Sequence, residues 1–301
     1  MSRKIIYLIN PISGTKGKST LLKIITEKTN RQNIPFEIIP SNVEGDYRFL
    51  KEKIINENIT DVVVCGGDGT MSAVSGSLLG SDINMGIIPM GSGNGLALAA
   101  KIPVKTSKAL DIIFSGKAES VDGFFINGQF SCMLCGIGFD AQVAHDFALT
   151  PKRGLQTYIR ISMINFFKAK PFRFNIESKS HSFQTEAFLI SIANSNQFGN
   201  NFKIAPQASL HDGLLDIVIV KKMNKIMLPF SVIGQITGIN AMQKIEDHIN
   251  RRNIFYFQTS ELIIKNNDLA LLHIDGDPKT TAEEFKINIR PNAFRLMQPV
   301  V

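Results

Sequence analysis

The chain of 301 residues is 44% hydrophobic and 20% charged, which excludes a disordered or low-complexity protein and leaves enough apolar material for two cores. Its 33 Lys and Arg against 26 Asp and Glu give a formal charge of +7, suited to an anionic partner: a nucleotide, an acidic membrane surface or a nucleic acid. Cys65, Cys132 and Cys135 sit in apolar runs, the chain opens Met-Ser-Arg-Lys rather than with a signal peptide, and no stretch of about 18 apolar residues is unbroken, all of which reads as a reduced, cytoplasmic protein that reaches any membrane from its surface.

The first third alternates short β-branched runs with helical patterns, the mark of βαβ units and a mainly parallel sheet. Residues 5–9 make the first strand, residues 10–17 a turn, and residues 19–28 a helix. A strand over 36–39 precedes Tyr47, Leu50 and Ile54 at helical spacing. The strand at 61–65 runs into Gly66-Gly67-Asp68-Gly69-Thr70, and the next helix has Met71, Val74 and Leu78 on one face and Gly80 as its stop. A fourth strand at 85–88 leads to Gly91-Ser92-Gly93-Asn94-Gly95 and a helix rich in Leu and Ala.

From about residue 121 strands and turns take over: 124–126, an Asn127-Gly128 hairpin signal, 130–134, 187–193, 214–220, 255–258 and 262–265. Helical insertions are expected near 155–167 and 225–249. This divides the chain into an α/β nucleotide-binding domain over 1–122 and a β-rich domain over 123–301, with a last run at 285–297 that fits either.

A strand that ends in consecutive glycines and opens a helix lets backbone N–H groups approach a phosphate, and the helix dipole favours its charge. Gly66 to Thr70 has that form, and Asp68 within it calls for a cation between carboxylate and phosphate. The second glycine turn repeats the logic at the next strand end, where open α/β sheets place ligands, and Asn10-Pro11-Ile12-Ser13-Gly14 ends the first strand. A P-loop would need glycine at Ile12, and the even spacing of Gly91, Gly93 and Gly95 is not that of a dinucleotide fold.

Asn10-Pro11-x-Ser13-Gly14, Gly66-Gly67-Asp68-Gly69-Thr70 and Pro89-x-Gly91-Ser92-Gly93-Asn94, followed by Gly138-Phe139-Asp140-Ala141, Asp212-Gly213-Leu214-Leu215-Asp216 and Asp275-Gly276-Asp277, resemble the ordered signatures of the diacylglycerol kinase catalytic family, which includes bacterial soluble lipid kinases and the sphingosine and ceramide kinases. The resemblance implies a Rossmann-like, phosphofructokinase-like parallel sheet followed by a β-rich sandwich domain. It implies ATP and Mg2+ as cofactors and phosphorylation of a lipid hydroxyl. Nucleotide contacts would fall on Asn10, Pro11, Ile12, Ser13, Gly14, Ser41, Gly66, Gly67, Asp68, Gly69, Thr70, Met71, Ser72, Ser92 and Asn94. Magnesium would lie near Asp212 with the carbonyls of Ser209 and Leu214. The catalytic group would comprise Asp277, Asp68 and Asp275, with Asp277 at the position of the family's usual Glu proton acceptor, one methylene shorter; Asp68 is the other candidate acceptor. The expected partner is a lipid at a membrane surface with peripheral association, not a nucleic acid, and a homodimer is allowed.

The Ser-Gly-Asn turn and Arg153-Gly154-x-x-x-Tyr158 resemble sphingosine-type kinases, yet Gln142 stands where those place an acid to meet an ammonium, which favours a neutral, diacylglycerol-like alcohol. The rivals are a soluble-substrate kinase of the NAD kinase type, which shares the Gly-Gly-Asp-Gly turn, and a nucleotide-binding regulator without catalysis. The basic, phenylalanine-rich stretch 158–174 reads equally as a membrane-lying helix or as an ordinary amphipathic helix before an edge strand. Cys132 and Cys135 read as core, and His145, His211 and His273 as satisfied polar neighbours.

Overall fold

The computed structural model describes residues 3–10, 18–42, 44–151, 155–197, 204–222 and 253–300. Residues 11–14 of the first turn and the helical insertion expected at 225–249 lie outside the described residues.

The N-terminal half runs β1 (Ile5–Ile9), α1 (Lys18–Arg31), β2 (Phe36–Pro40), α2 (Phe49–Asn56), β3 (Asp61–Gly66), α3 (Asp68–Ser77), β4 (Asn84–Pro89), α4 (Gly95–Ala99) and α5 (Thr106–Ser115). Every residue of β1 and β3 is buried, as expected of parallel strands covered by helices on both faces. Each fully buried Ile, Val or Leu there contributes about 1.5–3 kcal/mol.

The strand order β4-β3-β1-β2 is parallel throughout, with Ile9 opposite Cys65 and Gly66 opposite Pro89. The three candidate turns therefore leave adjacent strands at one sheet edge. Arg3 closes the opposite end, its guanidinium bridging Asp61 at 2.8 Å and reaching the Phe114 carbonyl at the end of α5.

The second half contains β5 (Lys117–Ile126), β6 (Gln129–Ser131), β7 (Leu134–Gly138), α6 (Phe139–Ala148), α7 (Leu155–Lys168), β8 (Phe172–Ser178), β9 (Ser182–Ala193), β10 (Leu215–Lys221), β11 (Ile254–Thr259), β12 (Glu261–Asn266), β13 (Leu272–Ile274), β14 (Asp277–Lys279) and β15 (Glu284–Gln298). Asn127 and Gly128 both have positive φ, 46° and 81°, and close the β5–β6 hairpin as their pairing suggests.

β15 serves both halves. It pairs antiparallel with β12 and β5, then parallel with β4 through Arg295–Asn84 and Leu296–Met85. The fold is thus a parallel α/β domain joined to a β-rich domain through one continuous mixed sheet.

Helix α6 is an addition to the helical insertions expected from the sequence, and it begins within the Gly138-Phe139-Asp140-Ala141 signature. Gly138 adopts φ 99° and launches the helix, and Ala141, Val143 and Ala144 bury one of its faces. The three cysteines are free and buried, consistent with a core role.

Candidate active site

The β3 and β4 turns are packed backbone to backbone. A Cβ on Gly67 would lie 3.1 Å from the Gly91 Cα, and one on Gly91 would lie 2.7 Å from the Gly67 Cα. Glycine is required at both positions by this approach; neither has positive φ.

Asp68, the first residue of α3, reaches across to the second turn. Its two carboxylate oxygens accept the N–H groups of Gly95 (2.9 Å) and Leu96 (3.0 Å) at the start of α4. Asn94, at φ 52°, accepts the Gly91 N–H at 2.7 Å and donates to the Gly91 carbonyl at 2.8 Å. Asn10 donates to the Thr70 hydroxyl at 3.0 Å, tying the β1 edge to α3.

The β-rich domain meets this edge through the β13–β14 hairpin. Asp275 and Gly276 form its two-residue turn at φ 52° and 84°, a conformation that suits the twist of a tight hairpin. Asp275 accepts the Ser131 hydroxyl at 2.8 Å and the Leu134 N–H at 3.2 Å. The next residue, Asp277, is exposed and abuts the first turn of α3.

Three carboxylates thus converge. Burial pushes Asp275 up to about 6, and the charge of Asp68 adds to the shift. Burial also raises Asp68, with Asp277 adding repulsion and the Gly95 and Leu96 N–H groups opposing it. Two acids held above their ordinary range beside each other would favour an arriving cation.

Several expected contacts are committed elsewhere. The Met71 side chain lies wholly in the core and its N–H donates to the Gly67 carbonyl. The Ser72 hydroxyl faces Cys132, whose N–H it accepts at 3.1 Å, and Asp275. Asn94 is consumed in shaping its own turn, and Asp275 in shaping the hairpin. Asp68, read from sequence as needing a cation, has backbone N–H groups as its first partners. Gly66, Gly67, Gly69, Thr70 and exposed Ser92 remain at the edge, while Pro11, Ile12, Ser13 and Gly14 lie outside the described residues.

Ser41, beyond β2, is nearly buried and hydrogen-bonds with the Tyr47 phenol. A cleft of about 420 Å³ is bordered by Glu44, Asp46, Arg48, Lys51, Ala73 and Phe130; Ser41 is not among the residues that line it. The Arg48 guanidinium and N–H hold Asp46 down to about 2.

The Asp212 turn is a separate feature. Gly213, at φ 70°, donates to Asp122 at 2.7 Å, and Asn292 donates to the other Asp122 oxygen at 2.8 Å. Partial burial raises Asp212, and the nearby Asp122 charge adds to it. No cluster of three or more Asp, Glu, His or Cys suited to a metal is present among the described residues. Magnesium needs no such cage, since it keeps several waters and takes one or two carboxylates. The repulsion between Asp122 and Asp212 is of the sign a cation would relieve, and Asp212 with the Ser209 and Leu214 carbonyls would be the residues to hold it.

His273, read from the sequence as a satisfied polar neighbour, has that neighbour in Asp140 of the Gly138-Phe139-Asp140-Ala141 signature, a pairing the sequence does not show. They form a buried pair at 3.3 Å directly beneath the hairpin turn. The signal available was the Asp within Gly138-Phe139-Asp140-Ala141 and a histidine two residues before Asp275.

Residues 4–126 match the diacylglycerol kinase catalytic domain, and residues 134–298 match the YegS C-terminal NAD kinase beta sandwich-like domain. The chain belongs to the diacylglycerol kinase catalytic family. Within this lipid kinase family it is 26% identical over 279 residues to the diacylglycerol kinase of Bacillus subtilis (strain 168), covering 91% of this chain and 89% of that protein. It is 28% identical over 267 residues to the probable lipid kinase YegS of Escherichia coli O6:K15:H31, covering 85% and 84%. A solved diacylglycerol kinase structure from Bacillus anthracis str. Sterne superposes with a TM-score of 0.73 at 19% identity, over 98% of this chain and 97% of that one. That likeness concerns the fold: a parallel α/β domain followed by a β-rich one. The NAD kinase resemblance likewise describes the architecture of the second domain.

Proposed function

We propose that this lipid-kinase-family chain transfers the γ-phosphate of ATP to the hydroxyl of a neutral, diacylglycerol-like lipid at a membrane surface. The observation that carries this reading is the meeting of Asp277 with the first turn of α3, because it sets a carboxylate of one domain against the glycine edge of the other. Phosphoryl transfer asks a protein mainly to position reactants and neutralise charge. The backbone at Gly67 and the amides of Ser92 and Gly93 line the phosphate path, and the cleft bordered by Glu44, Arg48 and Phe130 accommodates the nucleoside. Magnesium, when bound, supplies charge neutralisation on the phosphates. Asp277 accepts the proton of the lipid hydroxyl as it attacks, and Asp68 fixes the two glycine turns relative to each other.

A neutral head group is supported by helix α6. Gln142 donates to one oxygen of Asp146 at 2.9 Å and Asn165 to the other at 2.7 Å, so neutral amides already occupy this acid. Membrane access is supported by α7, which packs on α6, itself packed on the β13–β14 hairpin. Ile159, Met163, Ile164 and Phe167 are exposed along one side of α7. Residues 155–172 contain Arg160, Lys168 and Lys170 and no Asp or Glu. An apolar face with basic neighbours suits an anionic bilayer. No helix among the described residues is long and apolar enough to cross one.

The test is incubation with γ-labelled ATP, magnesium and vesicles containing both diacylglycerol and sphingosine. Label in chloroform-extractable phosphatidate is the expected result. Excess phosphorylated sphingosine would overturn the neutral acceptor, label only in water-soluble product would favour an NAD kinase-type substrate, and no transfer would favour a binding module.

A further inference from the structure

The ring of His273 is buried between β7 and α6, opposite Gly136 in the β7–β13 pairing. A Cβ on Gly136 would overlap both Asp140 Oδ2 and His273 Nε2, so glycine makes the room for this pair. On the other side of the ring, Nδ1 lies 3.3 Å from the N–H of Gly276. A backbone amide only donates, so Nδ1 must hold its lone pair and the ring proton sits on Nε2, facing Asp140.

We propose that Asp140 and His273 are positioning residues for Asp277: the Asp140 carboxylate selects the Nε2–H tautomer, and the freed Nδ1 lone pair anchors the Gly276 amide. Gly276 is the second residue of the two-residue turn, and Asp277 follows it directly. A shift of that amide therefore swings the proton acceptor relative to α3. The proposal rests on the reading of Asp277 as that acceptor.

Asp140→Asn tests it with little change of shape. Asp140 Oδ1 already accepts the Ala141 N–H at 2.9 Å, which orients the new amide with its oxygen there and its NH2 toward His273. Nε2 then becomes the acceptor, the proton moves to Nδ1, and Nδ1–H faces Gly276 N–H donor to donor. In protein labelled with 15N-histidine, the wild type should show His273 as Nε2–H and Asp140→Asn as Nδ1–H. Turnover on lipid should fall by about 10- to 10²-fold with the ATP KM unchanged, the effect of misplacing a group without removing it. His273→Asn restores an oxygen near the Nδ1 position and should recover much of the activity that His273→Leu loses.

An Nδ1–H wild-type ring, an Asp140→Asn variant with normal kcat, or equal losses in folded His273→Asn and His273→Leu would each overturn the proposal. If wild-type protein phosphorylates no lipid, the functional reading fails instead, and the nitrogen spectra still decide the tautomer.

Discussion

A Cβ placed on Gly69 would lie 2.6 Å from Oδ2 of Asp277. Gly69 sits inside the first turn of α3, where its backbone conformation suits any residue, so the glycine is explained by the neighbouring carboxylate. Alanine in a helix is favoured over glycine by about 1 kcal/mol. Gly69→Ala should therefore leave the melting temperature equal or higher while displacing Asp277 and lowering kcat by about 10²-fold. Unchanged turnover at unchanged stability would show that Asp277 need not occupy this position.

Asp277 and Asp68 are separable by what else each does. Asp277→Asn should lower kcat by about 10²- to 10⁴-fold, the usual worth of general-base help, with the ATP KM nearly constant. Asp277→Glu, with its extra methylene, should retain substantial activity. Asp68→Asn should also destabilise the protein by about 1 kcal/mol, since an amide cannot accept both the Gly95 and Leu96 N–H groups at the start of α4. Urea titrations beside steady-state kinetics distinguish the two. A folded Asp277→Asn enzyme with normal turnover would remove Asp277 from the mechanism.

The sequence made the parallel strand ends and their glycine turns legible because backbone approach to phosphate leaves a dense, ordered residue signature. What those side chains hold was not legible. Asp68 meets backbone N–H groups 27 and 28 residues away, and Ser72 meets Cys132 across the domain boundary; neither partner has a periodic signal. Met71, expected among the nucleotide contacts, shares the apolar stripe of α3 with Val74 and its side chain is buried in the core. Nor does the sequence show that a side chain on Gly67 would push apart the Gly67 and Gly91 backbones. The His273–Asp140 pair depends on the β7–β13 register, which no local pattern encodes.

Stability should fall as pH rises through one defined window. Asp216 is wholly buried; burial pushes it up to about 6 from an ordinary value of 3.8, against the hydrogen bonds from Tyr256 and Gln258. Between about pH 4 and 6 the folded state holds a proton that the unfolded chain has released, so unfolding becomes easier as pH rises, and the effect levels off above about 6. Asp275 acts in the same direction. Asp216→Asn should therefore gain stability relative to wild type above pH 6 and lose that advantage below pH 4. Urea midpoints at pH 4 and 7.5 give the comparison; an equal offset at both pH values would mean that Asp216 does not titrate in this window.

The exposed side of α7 gives the last expectation. Phe167 and Met163 are 72% and 59% exposed, an unfavourable arrangement in water unless something covers them. Inserting such a side chain into a bilayer contributes about 1.5–3 kcal/mol, and a basic residue near an anionic surface adds about 1 kcal/mol. Met163→Gln combined with Phe167→Gln should weaken co-sedimentation with phosphatidylglycerol vesicles by at least about 10-fold, with no loss of thermal stability because both side chains already face solvent. Raising ionic strength should weaken wild-type binding through screening at Arg160, Lys168 and Lys170. Turnover on a water-dispersed, short-chain diacylglycerol should be unchanged, since neither side chain belongs to the Asp277 edge. Equal binding of wild type and double variant to anionic vesicles would assign this face to something other than the membrane, and loss of activity on the dispersed substrate would place it in the lipid path itself.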